Sequence, residues 1–136
     1  MLYFGHGTET TLGIPTLVDT VTIASAHGQV LVAVACLAAD TFGPSAVRGT
    51  HLSTFLGFSE PLFLHTAQPG LFGYEISVRM GGYLTGASTL TQAATDLTAD
   101  LKAIEALYRT GAGATHPDSP LVWMGTRMNW RGLEVH

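Results

Sequence analysis

The chain has 136 residues, 46% of them apolar and only 12% charged, with a net charge of −4. Such a length is one domain by ordinary size, residues 1–136, and is enough to bury a core; the hydrophobicity excludes a disordered chain. One lysine, Lys102, and five arginines dispersed along the sequence (Arg48, Arg79, Arg109, Arg127 and Arg131) do not form the clustered cations that grip a phosphate backbone, so no nucleic-acid partner is expected.

Residues 1–16 carry Gly5, Gly7, Gly13 and Pro15 among apolar residues and threonines, and read as an extended N-terminal arm or loosely held edge segment. The stretch 17–24, LVDTVTIA, alternates with the period of a strand, and His27-Gly28 follows as a turn. VLVAVACLA (30–38) reads as a strand buried on both faces. TFGPSAVRG reads as a connection, and 46–56 and 61–66 as further strands. AQPG (67–70) has the proline-then-glycine order of a type II turn. FGYEISVRM (72–80) alternates throughout, with Phe72, Tyr74, Ile76, Val78 and Met80 on one face, and is expected as a strand.

One amphipathic helix is predicted over 88–110, because Leu90, Ala94, Leu97, Leu101, Ile104 and Tyr108 recur at spacings of four and three. Ser88 is its expected cap, and Gly111 its expected left-handed C-terminal residue. The sequence then closes with LVWMGTRMNWRGLEVH (121–136), read as a hairpin turning at Gly125-Thr126. The sum is an α+β, mainly β chain: an antiparallel β-sandwich or barrel-like sheet of six to seven strands, with the helix placed before a C-terminal hairpin.

Candidate chemistry is sparse. Cys36 stands alone, which excludes an intrachain disulfide and a cysteine-based metal site. Within its apolar run it reads as a small buried hydrophobe, with no cation or helix start beside it to activate the thiol. None of the six histidines has a second ligand at metal-binding spacing, so no metal and no cofactor are expected; His51 and His65, on separate strand-like stretches, are the pair that could still meet. Ser45 lacks a nucleophile elbow, and the glycine-rich stretches lack a phosphate-loop lysine. The N-terminus lacks the pattern of a signal peptide, and the longest apolar run, 30–39, falls short of the ~20 residues that span a bilayer, so neither secretion nor a membrane partner is expected. Trp123 and Trp130 either complete the core or act, with Arg127 or Arg131, as interface anchors. Tyr3 and Phe4 in the arm join them as candidate interface residues, and no catalytic residue is expected.

The order of GYEISVRM, a glycine connector, LTADLKAIEALY, then LVWMG and NWRGLEV resembles the β-sandwich-plus-helix module of phage tail proteins, over about residues 72–135. The family includes distal tail, tube-initiator and tail-tube subunits. The resemblance implies a ring-forming homo-oligomer in the virion tail, baseplate or neck, meeting other virion proteins and carrying no catalytic residues. The neutral surface, rich in threonine (18 residues) and glycine (16), suits a subunit covered by neighbours. Two other readings stay open. One is a small-molecule enzyme or ligand-binding α+β domain with His51, His65 or Glu75 in a pocket. The other is a non-viral subunit of a tube-like apparatus.

Overall fold

The computed structural model describes residues 1–49, 51–64 and 70–136. Among them the chain forms four α-helices, a mixed four-stranded sheet and a two-stranded sheet. That overturns the expected mainly-β sandwich with a single helix and a C-terminal hairpin. The chain divides into two compact units, residues 1–62 with 132–136 and residues 63–131.

The first unit is built on the sheet. Strands β1 (Leu2–Phe4), β4 (Gln29–Val34), β5 (Leu52–Phe58) and β6 (Leu133–Val135) lie in the order β1-β4-β5-β6. β1 and β5 both run parallel to β4, and β6 closes the far edge antiparallel to β5. Between β1 and β4 the chain makes the short pair β2 (Thr11–Leu12) and β3 (Val18–Asp19) and a 3-10 turn, Thr22–Ser25. The apolar run of β4 is explained by this topology: a central parallel strand is covered on both faces, and Leu31, Val32, Ala33 and Val34 are all buried.

Parallel neighbours need a crossover, and α1 (Phe42–Arg48) supplies it between β4 and β5. TFGPSAVRG was expected to be a mere connection because it holds glycine and proline. Pro44 falls in the first turn, where its missing N–H costs nothing. Gly43 is required by packing: a Cβ there would lie 2.1 Å from Cδ1 of Phe55. The helix thus approaches β5 closely, with the Phe42 and Phe55 rings edge to face at 5.9 Å and both fully buried. Each such ring contributes roughly 1.5–3 kcal/mol by burial. Residues 1–16 are extended in part, and Leu2–Phe4 is an edge strand paired within the same chain, with the Met1 ammonium donating to the Val30 carbonyl at 2.5 Å.

The second unit is helical: α2 (Gly70–Leu84), α3 (Leu90–Arg109) and α4 (Ser119–Gly132). The alternation that suggested a strand over 72–80 is only half used. Phe72, Ile76 and Met80, four residues apart, are buried, whereas Tyr74 and Val78 are 67% and 44% exposed. Every second apolar position also contains every fourth, so the pattern carries both periods, and the α2–α3 packing selects the helical one. The expected hairpin at 121–135 fails for a similar reason. Val122, Gly125, Thr126 and Asn129 form a buried helical stripe, and Gly125 is no turn residue: a Cβ there would lie 1.8 Å from Cδ1 of Phe63. Only 133–135 is strand.

The amphipathic helix foreseen at 88–110 is α3, with Leu90, Ala94, Leu97 and Leu101 buried. Its cap is Thr89, not Ser88; the Thr89 hydroxyl accepts from the Gln92 N–H at 3.1 Å, an interaction worth ~1 kcal/mol. Gly111 has φ −94°, outside the left-handed region.

Candidate functional site

The carboxyl ends of β1, β4 and β5 lie side by side, and each runs into a short loop. Phe4 and Val34 are register partners, so His6 and Cys36 each stand two residues past the end of neighbouring parallel strands. The Gly5 N–H donates to the Val34 carbonyl at 3.2 Å, carrying the pairing one residue further. Beyond it the backbone of Gly7 presses on the Cys36 turn. A Cβ on Gly7 would fall 2.7 Å from the Cys36 carbonyl oxygen and 2.8 Å from the Ala35 Cβ, so only glycine allows this approach. Tyr3 steadies the loop after β1, its hydroxyl donating to the His6 carbonyl at 2.9 Å.

Cys36 is a free thiol, half-buried at the point where β4 ends. Leu37, directly after it, has φ +57°, a left-handed conformation that costs a branched side chain of order 1 kcal/mol or more. The turn is held there by neighbours. The Leu37 N–H donates to the Glu60 carbonyl at 3.4 Å, Ala39 N–H to the Phe58 carbonyl at 3.0 Å, and Phe42 N–H to the Glu9 carbonyl at 2.7 Å. From the segment after β5, the Leu62 N–H donates to Cys36 Sγ at 3.2 Å. The segment after β5 thus reaches the Cys36 sulfur and the loop after β1 packs on the Cys36 carbonyl, while His6 stands two residues past the end of the adjacent strand.

In sequence, Cys36 reads as a buried hydrophobe and His6 as one of six unconnected histidines. A signal was present: VLVAVAC is a parallel-type strand that ends at the cysteine, and YFGHG places a histidine between two glycines straight after a second strand. Both were unreadable while 42–48 passed for a loop, because without α1 no parallel sheet was implied.

The residues singled out from sequence lie elsewhere. His51 has its ring 6.4 Å from that of His27, at the opposite, amino end of the sheet, and His65 lies outside the described residues. Phe4 is 55% exposed on the edge strand β1. In the helical unit, Glu75 belongs to a charged cluster joining α2 and α3. Arg79 donates to both carboxylate oxygens of Asp100, at 2.5 and 2.9 Å, with Asp96 at 3.8 Å. Burial first, then the hydrogen bond and charge of Asp100, push the Glu75 carboxyl up. The Arg79 guanidinium holds that of Asp100 down, against its desolvation.

Trp123 and Trp130 do not share a sheet face, since both are on α4. Trp130 braces α4 to α3: its indole N–H donates to Glu105 Oε2 at 2.7 Å while Lys102 Nζ sits 4.6 Å from the ring centroid. Trp123 is capped by Arg109, whose Cζ is 5.7 Å from its ring centroid. Arg127 and Arg131 lie with Trp123 along an open groove on α4. Inside the helical unit, a cavity of about 20 Å³ lined by Phe63, Phe72, Leu101 and Val122 has the room of a single water, too little for a small-molecule ligand.

Among the described residues no three histidine, cysteine or acidic side chains converge as a metal site, and no helix is long and apolar enough to cross a membrane. No family model, curated protein or solved structure matches the chain.

Proposed function

We propose that the carboxyl edge of the sheet is a cysteine–histidine nucleophilic site that catalyses acyl transfer, with hydrolysis of an amide or ester as its net reaction. The observation that carries this reading is the position of Cys36 and His6, each two residues past the end of one of two paired parallel strands. In open sheets with parallel strands, ligands are bound in the crevice outside those ends. Strain kept at Leu37 by its hydrogen-bonded neighbours is the sort of feature that marks a working site. Cys36 is half-buried, and its sulfur is held by the Leu62 N–H.

In the reaction, the His6 imidazole takes the Cys36 proton and the sulfur adds to the substrate carbonyl carbon. The carbon–nitrogen or carbon–oxygen bond then breaks, the leaving group takes the proton from His6, and a thioester remains on Cys36. Water, deprotonated by His6, attacks the thioester and restores the thiol.

The ring-forming tail subunit expected from sequence rested on a strand, helix and hairpin over 72–135. Those segments are the helices α2, α3 and α4 and the short strand β6, so the reading stands only on the low charge and the threonine- and glycine-rich composition.

The test is turnover of a panel of fluorogenic peptide amides and activated esters by the wild-type chain, Cys36→Ala and His6→Ala. Wild type is expected to turn over at least one class of substrate. Both variants should lose about a hundredfold or more while melting like wild type. Absence of any turnover, or turnover unchanged in Cys36→Ala, would refute the proposal.

A further inference from the structure

The chain carries ten acidic and six basic residues, yet four of the six cations, Lys102, Arg109, Arg127 and Arg131, belong to α3 and α4. The arginines that look scattered in sequence are gathered by the fold. Lys102 and Arg109 are engaged, one over Trp130 and the other over Trp123 and beside Glu105. Arg127 and Arg131 are different: with Trp123, Met124 and Met128 they line the open groove of about 390 Å³ along α4. Positions 123, 124, 127, 128 and 131 follow the helical repeat, so the groove is one continuous stripe of the helix. Its lining holds two guanidinium groups and no carboxylate.

Two observations say what would fill it. No carboxylate faces the Arg127 guanidinium in the groove's lining, and its buried Nε has no hydrogen-bond partner among the described residues, so the group's outer N–H donors are the ones a ligand in the groove meets. Its natural acceptor is a carboxylate, which takes two parallel N–H bonds from one guanidinium. Beside it, Met124 and Met128 are 52% and 40% exposed, a polarisable apolar surface that adapts to varied side chains. Tryptophan and arginine flanking such a surface are the residue types that dominate interface energetics. A nucleic-acid strand would find few cations here and much apolar surface.

We propose that the α4 groove binds an acidic, apolar segment of a protein partner, which sets a carboxylate on Arg127 and an apolar side chain across Met124 and Met128. This site is independent of the Cys36 proposal and stands or falls separately.

The experiment measures binding of a short fluorescent peptide of alternating glutamate and leucine, alongside the same peptide with every glutamate replaced by glutamine. The proteins are wild type, Arg127→Met, Arg131→Met and Met124→Glu, all first compared by thermal melting. Wild type should bind the glutamate peptide and should lose about tenfold or more in affinity for the glutamine version. Arg127→Met and Met124→Glu should each lose about tenfold or more, and Arg131→Met less; Arg131→Met keeps the proposal testable if Arg127→Met melts early. Failure of wild type to bind the glutamate peptide, or equal binding of the two peptides, would overturn it. So would tighter binding of a single-stranded oligonucleotide, or self-association abolished by Met124→Glu, since each makes something else the occupant.

Discussion

The sheet unit and the helical unit hold themselves together by different means. In the sheet unit the interior is apolar and small: Ala33, Ala35, Ala38, Ala39 and Ala46 surround Phe42, Phe55, Leu31 and Leu52. Its polar contacts are mostly backbone bonds in turns, loops and caps. In the helical unit, buried side chains bond to one another and to the chain. Asn129, 2% exposed, accepts from the Phe63 N–H at 2.8 Å and donates to the Phe63 carbonyl at 2.9 Å, so its amide completes a backbone pairing no strand provides. Glu105 is buried against the Trp130 indole, and Arg79 clasps Asp100. The difference teaches where chemistry is free: the helical unit uses most of its charged groups on itself, whereas the sheet unit leaves a thiol and a histidine at an edge.

That contrast can be broken by substitution. Phe55→Ala should have the largest effect, about 3–5 kcal/mol, because it empties the contact that seats α1 on β5. Urea unfolding checks it, and a loss below ~1 kcal/mol would mean that the apolar core does not hold the sheet unit. Asn129→Ala should cost less, about 1–3 kcal/mol, by removing the two hydrogen bonds from its amide to the Phe63 backbone. Amide exchange should locate that loss in residues 63–131 and leave β4 and β5 protected; equal loss in both units would contradict the separation drawn here.

The smallest effect concerns Glu75 and sharpens the contrast through pH. Its folded pKa is raised, so its favourable contribution is complete below the ordinary carboxylate range and is lost as pH rises through the raised value. Asp100 behaves oppositely, its contribution being complete above the ordinary range and lost as pH falls through its depressed value. Glu75→Gln should therefore melt higher than wild type near neutral pH, by no more than about a few degrees, and the gain should vanish in acid. A gain that persists unchanged in acid would show that charge on Glu75 is not its source.

Much of this fold was legible locally and little of it globally. α3 was plain because its leucine stripe has a single period, and the buried run of β4 was plain because it has none. α2 was misread because Phe72, Ile76 and Met80 satisfy both the strand and the helix repeat, and only the exposure of Tyr74 and Val78 separates them. α4 was misread because Gly125 looks like a turn residue, yet it makes room for the Phe63 ring, as Gly132 at the helix end does for Glu60. Those glycines answer to neighbours distant in sequence, which a single chain read end to end does not reveal. The candidate site failed for the same reason. Cys36 and His6 are thirty positions apart, and their place past neighbouring strand ends depends on β1 and β4 running parallel, a pairing made across the β2–β3 excursion. The tryptophan–arginine stretch was found in sequence but placed on the wrong element. As a helix it keeps the residues noticed and changes which of them share a face.

As proposed, Cys36 is a nucleophile served by His6. The most direct measurement is the rate of Cys36 alkylation by iodoacetamide at neutral pH, followed by mass spectrometry and compared with glutathione, in wild type and in His6→Ala. The account predicts that Cys36 reacts about tenfold or more faster than glutathione, and that His6→Ala removes most of this excess without changing the melting temperature. Alkylation no faster than glutathione, and equal in the two proteins, would contradict it.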